Sequence, residues 1–137
     1  MVKWARFFLA GIVASAISYV VNSFFGYYFR NLYDPASGLW RAMMTPLWVQ
    51  NVIIANLILG FILTIAYIAL NKGLGAKAET TKKGLKFGFI VWLVKDVIGF
   101  TMTYVLMYVS VALIFTWLVA GFIANIINGL VIAKIYK

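Results

Sequence analysis

Four long apolar runs take up nearly the whole chain, at about residues 4–29, 47–70, 85–107 and 111–133. A helix needs about 20 mostly apolar residues to cross a bilayer. Each run meets that length, and the polar stretches between them are too short for a separate soluble domain. The reading is an all-α, polytopic integral membrane protein, one four-helix bundle spanning residues 1–137. Residues 85–135 also fit the period of one unbroken helix, but that helix is far too long to cross once. A break near Tyr108-Val109-Ser110 therefore makes the last two spans an antiparallel hairpin. Ala14-Ser15-Ala16, behind Lys3 and Arg6, has the form of a signal-peptide cleavage site. The apolar run continues past it to Phe29, which favours an uncleaved span.

Composition narrows the chemistry. Apolar residues make up 65% and charged residues 11%, against about 45–50% and about 25% in soluble domains. That excludes a water-soluble domain and a disordered chain alike. There is no Cys, so disulfides and iron–sulfur clusters are out. Histidine is absent too, which removes imidazole-held haem, the usual zinc sites and Ser-His-Asp catalysis. Asp34, Glu79 and Asp96 are the only acids, too few for a carboxylate-rich metal centre. No cofactor and no enzymatic activity are expected.

Orientation follows from the basic residues. Lys3, Arg6, the Lys72–Lys86 group and the C-terminal Lys134 and Lys137 place nine of them on the side of the termini. Arg30 and Arg41 place two on the other side. Both termini are thus expected in the cytoplasm. The net charge of +9 then expresses orientation and attraction to anionic lipid, at about 1 kcal/mol per basic residue near the surface. It does not point to nucleic acid, because no folded domain presents the lysines. Aromatic clusters at both ends of the first run, Trp4 to Phe8 and Phe24 to Phe29, with Tyr33, Trp40 and Trp48 after it, read as interfacial belts.

The first connection carries a further expectation. Asp34-Pro35 is a good helix start, Leu39, Trp40, Met43 and Met44 supply apolar surface, and Pro46 ends the segment. A short helix in the outer interface is expected, and not a re-entrant lid, since Arg41 is costly at depth. Between the second and third spans, Gly73 and Gly75 are expected to end the second helix. Thr80 or Thr81 is expected to cap the third.

Small and polar residues fall on one stripe of each span: Gly11, Ser15, Ser18 and Asn22; Asn56, Gly60 and Thr64; Gly88, Trp92, Asp96, Gly99 and Thr103; Gly121, Ala124, Asn125 and Asn128. Such stripes let helices approach and bond across in lipid. They form either the bundle core or the lining of a polar pathway. Leu57-Ile-Leu-Gly60-Phe61-Ile62 matches Leu118-Val-Ala-Gly121-Phe122-Ile123, a likeness that chance among apolar helices readily produces.

Lys95-Asp96 is the feature a plain bundle does not need. Asp96 lies ten residues beyond Lys86, about 15 Å at the helical rise and so near the midplane. The pair costs about 5–7 kcal/mol on the insertion scale. Twelve Leu, Ile, Phe and Val residues in that run offset it at about 0.3–0.6 kcal/mol each. The third span is marginal alone. Neighbours on an α-helix diverge by about a quarter-turn, so the two are not expected to pair with each other. Each needs another partner, for Asp96 a residue of similar depth. The candidate intramembrane cluster is Asp96, Lys95, Ser15, Ser18, Thr64, Asn125 and Asn128.

Gly84-Leu-Lys-Phe-Gly88, Gly99, Tyr104, Trp117-Leu-Val-Ala-Gly121 and Val131-Ile-Ala-Lys134-Ile-Tyr136 resemble the C-terminal half of small, uncharacterised four-helix membrane proteins of prokaryotes. The resemblance covers less than half the chain. It implies the fold and a prokaryotic plasma (inner) membrane, and no activity. In size and helix count the chain is also similar to small multidrug-resistance transporters, which carry an essential Glu in the first span. No carboxylate occurs in this first span, so that function is not transferred. Two functions remain in order: a structural or accessory scaffold, as a homo-oligomer or in a larger complex, then a small ion- or proton-coupled transporter or channel using Asp96. A lipid-modifying enzyme lacks its nucleophile–base pair and metal ligands.

Overall fold

The computed structural model describes residues 3–33, 45–75 and 78–136. It is all-helical. Helix α1 is Trp4–Tyr28, followed by a short 3-10 turn, Arg30–Leu32; α2 is Pro46–Leu70. The third long helix has three parts: α3, Thr80–Val91; a π-helical segment, Trp92–Val97; and α4, Ile98–Leu106. Helix α5 is Val111–Ile135. These make four helices long and apolar enough to cross a membrane, with Thr80–Leu106 counted as one.

Local chemistry sets the ends. Thr45 caps α2 by accepting from the Trp48 N–H at 3.3 Å, and Pro46 takes the first helical position. Pro46 therefore opens the second helix. Its missing N–H is no loss there, since first-turn donors have no intrahelical acceptor. Ser110 caps α5 in the same way through the Leu113 N–H at 3.2 Å. At the third helix the expected threonine cap is not found. Glu79 is the capping residue, without a side-chain cap bond, and Thr80 is already helical. Gly75 has φ 113° and turns the chain just after α2. The expected interfacial helix falls in 34–44, outside the described residues.

Packing runs in the order α2, α1, α5, α3. Small residues carry it. Gly60 of α2 meets the Gly11 carbonyl and Ser15 of α1. Gly84 and Gly88 of α3 meet the Gly129 and Asn125 backbone of α5. Ser15 Oγ donates to the Gly11 and Leu57 carbonyls at 2.7 and 3.2 Å. Trp92 Nε1 donates to the Leu118 carbonyl at 2.9 Å. The two matching hexapeptides thus occupy like places: each offers its leucine carbonyl to the preceding helix and its glycine as the point of close approach.

The end that carries the termini is closed by a core of Ala10, Ala14, Leu63, Tyr67, Phe87 and Ile132. Tyr67 and Phe87 meet edge to face at 5.2 Å. Outward faces are apolar; Leu9, Ile12 and Val20 of α1 and Ile54, Ile58 and Ile62 of α2 are exposed. So large a greasy surface suits acyl chains and not water. At the opposite end the bundle loosens, and α4 has no buried residue.

Candidate functional site

The π segment decides where the charges go. A π turn closes i→i+5 bonds and takes in one residue more than an α turn. Before it, Gly88 faces α5; within it, Trp92 and Asp96 still do. Beyond it the face rotates away. Gly99, expected on the same stripe, is exposed with nothing within 4 Å of a Cβ built there. Thr103 bonds its own helix, at the Gly99 carbonyl. Phe100 takes the inward place and meets Trp117 at 5.4 Å.

Asp96 is buried, 2% exposed, and both carboxylate oxygens are engaged. Oδ2 accepts from Asn125 Nδ2 at 2.6 Å, and the same amide donates to the Gly121 carbonyl at 2.7 Å. Oδ1 is bonded to the Lys95 ammonium. The expectation that Lys95 and Asp96 do not pair is overturned. The wider π winding narrows the angle between neighbours, and the four-carbon lysine stem curls round the rest. Gly121 makes the room. A Cβ there would stand 2.7 Å from Asp96 Cγ.

The other expected members divide. Asn128 Nδ2 donates to Ser18 Oγ at 2.8 Å, tying α5 to α1; the Asn128 Oδ1 has no hydrogen-bond partner among the described residues. Ser15 and Thr64 lie in the α1–α2 packing and not beside Asp96. Thr64 Oγ1 donates back to the Gly60 carbonyl at 2.9 Å. Equal depth along a helix did not mean a shared face.

A cavity of about 220 Å³ lies between α1, α5 and the third helix. Lys95, Asp96 and Asn125 form its floor. Ser18 and Asn22 add polar wall from α1, and Asn22 Nδ2 reaches Asn56 Oδ1 at 3.4 Å. Toward the end away from the termini the wall turns aromatic: Phe25, Tyr33, Phe100 and Trp117. Trp117 Nε1 donates to the Tyr33 hydroxyl at 2.7 Å, and the two rings lie 6.1 Å apart. Burial pushes the Tyr33 phenol above its ordinary 10.0, against a smaller opposite pull from the Trp117 bond.

Tyr33, Trp117, Phe25 and Phe100 were not among the sequence candidates. Tyr33 reads as a belt aromatic, and its bond to Trp117 spans 84 positions. Nothing local signals it. Asn22 was legible, as the outermost polar member of the α1 stripe.

The arrangement can hold a positive charge. A carboxylate with low exposure, held by an amide and a partly exposed ammonium, lines a cavity with aromatic walls. The class this defines is a small helical protein with four candidate membrane spans and, between them, a buried carboxylate paired with a partly exposed lysine. Against protein-family models, curated proteins and solved structures, the chain finds no match.

Proposed function

We propose that this protein is a small transporter or channel that carries a cation or proton through Asp96. The observation that supports it is the Asp96 carboxylate at the floor of a polar-to-aromatic cavity, inside a four-span apolar chain. An ionisable group at that depth is costly and pointless in a mere spacer. The cavity runs from Lys95, Asp96 and Asn125 toward Tyr33 and Trp117, at the end away from the termini. Its inner end is sealed by the Gly84–Gly129 and Gly88–Asn125 backbone contacts. Passage then requires a change between two packings. The π segment is where α4, which buries nothing, moves relative to α3. The sequence alone ranks the scaffold first; the cavity beside Asp96 is what favours transport in this reading.

The test is reconstitution into vesicles with an imposed potential and an internal proton-sensitive or cation-sensitive dye. The wild type is expected to pass charge, and Asp96→Asn to insert normally and pass none. An amide still bonds across helices but carries no exchangeable charge. Equal flux in both proteins and in empty vesicles refutes the reading.

The scaffold reading keeps one observation of its own. Among the described residues, nothing lies within 4 Å of a Cβ built at Gly99, and α4 has no buried residue. A second copy or an accessory subunit there would survive extraction in mild detergent as a stable complex.

A further inference from the structure

The cavity has two charged wall residues, Lys95 and Asp96, and they differ in freedom. The Asp96 side chain is 2% exposed and the Lys95 side chain 39%. Asp96 is fixed by Asn125 and lies close against bare Gly121. Lys95 reaches in from the more exposed side on a flexible stem, and its ammonium sits on the carboxylate as a free alkylamine would. One end of the site is thus already shown with a tethered ligand of the right kind.

The wall shows what the rest of such a ligand meets. Trp117 stands between Tyr33 and Phe100, with ring centroids 6.1 and 5.4 Å away, and Phe25 completes the lining. Aromatic faces attract organic cations, Trp most strongly. An inorganic cation wants several converging oxygens. Here Asn125 turns its amide nitrogen, not its oxygen, to the carboxylate. The volume of about 220 Å³ lies below the roughly 300–1,000 Å³ of drug-sized pockets. The ligand is small.

We infer that the cavity binds a small organic monocation, a primary amine with one compact apolar group, which displaces the Lys95 ammonium from Asp96 and lays its apolar part against Trp117. This rests on the reading of Asp96 as a cation-binding group. Lys95 is a built-in competitor. It keeps the buried carboxylate neutralised when no ligand is present and yields it by swinging outward. A tether holding the carboxylate for about nine-tenths of the time weakens free-amine binding about tenfold.

Calorimetric titration of the full chain in lipid nanodiscs with benzylammonium tests this, with benzyl alcohol and benzoate as neutral and anionic controls of the same shape. Benzylammonium is expected to bind saturably and the controls not. Lys95→Met is expected to bind it about tenfold tighter. Trp117→Leu is expected to weaken it by about twofold to thirtyfold, and Asp96→Asn to abolish it. Absence of saturable binding to both the wild type and Lys95→Met overturns the inference, whether or not Asp96→Asn folds. Equal binding of benzyl alcohol, or binding untouched in a folded Asp96→Asn, overturns it too. Failure here with Asp96-dependent proton or inorganic-cation flux in vesicles removes the organic ligand and leaves the transport reading standing. Amine binding without any Asp96-dependent flux does the reverse.

Discussion

Gly84→Ala separates close helix packing from mere proximity. A Cβ at Gly84 would lie 2.8 Å from the Gly129 carbonyl oxygen and 2.8 Å from Leu130 Cα. Both are backbone atoms of α5 and cannot rotate aside. Ordinary contact begins at 3.4 Å, so the α3–α5 seam must open by about 0.6 Å. A gap of about 0.5–1 Å forfeits a quarter to a half of each contact's attraction along the seam. Overpacking of this kind costs about 1–3 kcal/mol. Alanine returns about 1 kcal/mol as the better helix former. A net loss of up to about 2 kcal/mol is expected, and a deficit of about 1–3 kcal/mol against a glycine-to-alanine change that meets no contact. Gly99→Ala is the matched control, because nothing lies within 4 Å of its Cβ; it keeps only the propensity gain, and its sign is opposite. Unfolding in detergent mixtures of rising SDS fraction, followed by far-ultraviolet circular dichroism, measures both. A Gly84→Ala protein as stable as the Gly99→Ala protein would refute the backbone contact between α3 and α5.

Asn125→Ala removes the amide that donates to the Asp96 carboxylate at 2.6 Å. Bonds to charged groups contribute about 1.5–3 kcal/mol, so a loss of that size is expected in the same unfolding assay, and an unchanged midpoint would contradict it. Tyr33 carries a pH dependence. Its phenol is raised above 10.0 by burial, so the folded state keeps a proton that the unfolded chain releases near pH 10, and stability falls as pH rises through the folded value. Wild type is expected to lose more stability than Tyr33→Phe between about pH 9 and about pH 11; parallel losses would sink the assignment. A reporter fused after Lys137 is expected to behave as cytoplasmic, from the nine-to-two split of basic residues, and an external signal would invert the topology.

Much of the fold was legible because the bilayer is a demanding solvent. Every backbone polar group must bond within its own helix, so four apolar runs of spanning length admit few structures. The expected run at 47–70 and the observed Pro46–Leu70 differ by one residue at the start. The run at 111–133 and Val111–Ile135 differ only at the end. The glycine and polar stripes of α1, α2 and α5 were legible for the same reason, since only small or hydrogen-bonding groups gain by facing another helix in lipid. Equal depth offered Asn125 or Ser15 as a mate for Asp96 and could not choose between them; the contact is with Asn125.

What sequence left open turns on rotation and on distance along the chain. The stripe Gly88, Trp92, Asp96, Gly99, Thr103 assumes an unbroken α-period, and one π turn sends its last two members outward. The propensities of Trp92-Leu-Val-Lys-Asp-Val97 announce no such turn. It takes α5, with the Leu118 carbonyl for the indole and bare Gly121 for the carboxylate, to favour it. The same turn brings Lys95 onto its neighbour. The cavity belongs to no segment at all. It exists because α4 leaves α5 past the π turn while Tyr33 folds back onto Trp117. Sequence by itself determined that this chain has four helices of spanning length and one buried charge to satisfy, because hydrophobic length and charge cost are properties of each segment. Only the tertiary structure decided what satisfies that charge and what space lies before it, because these depend on which faces of distant helices meet.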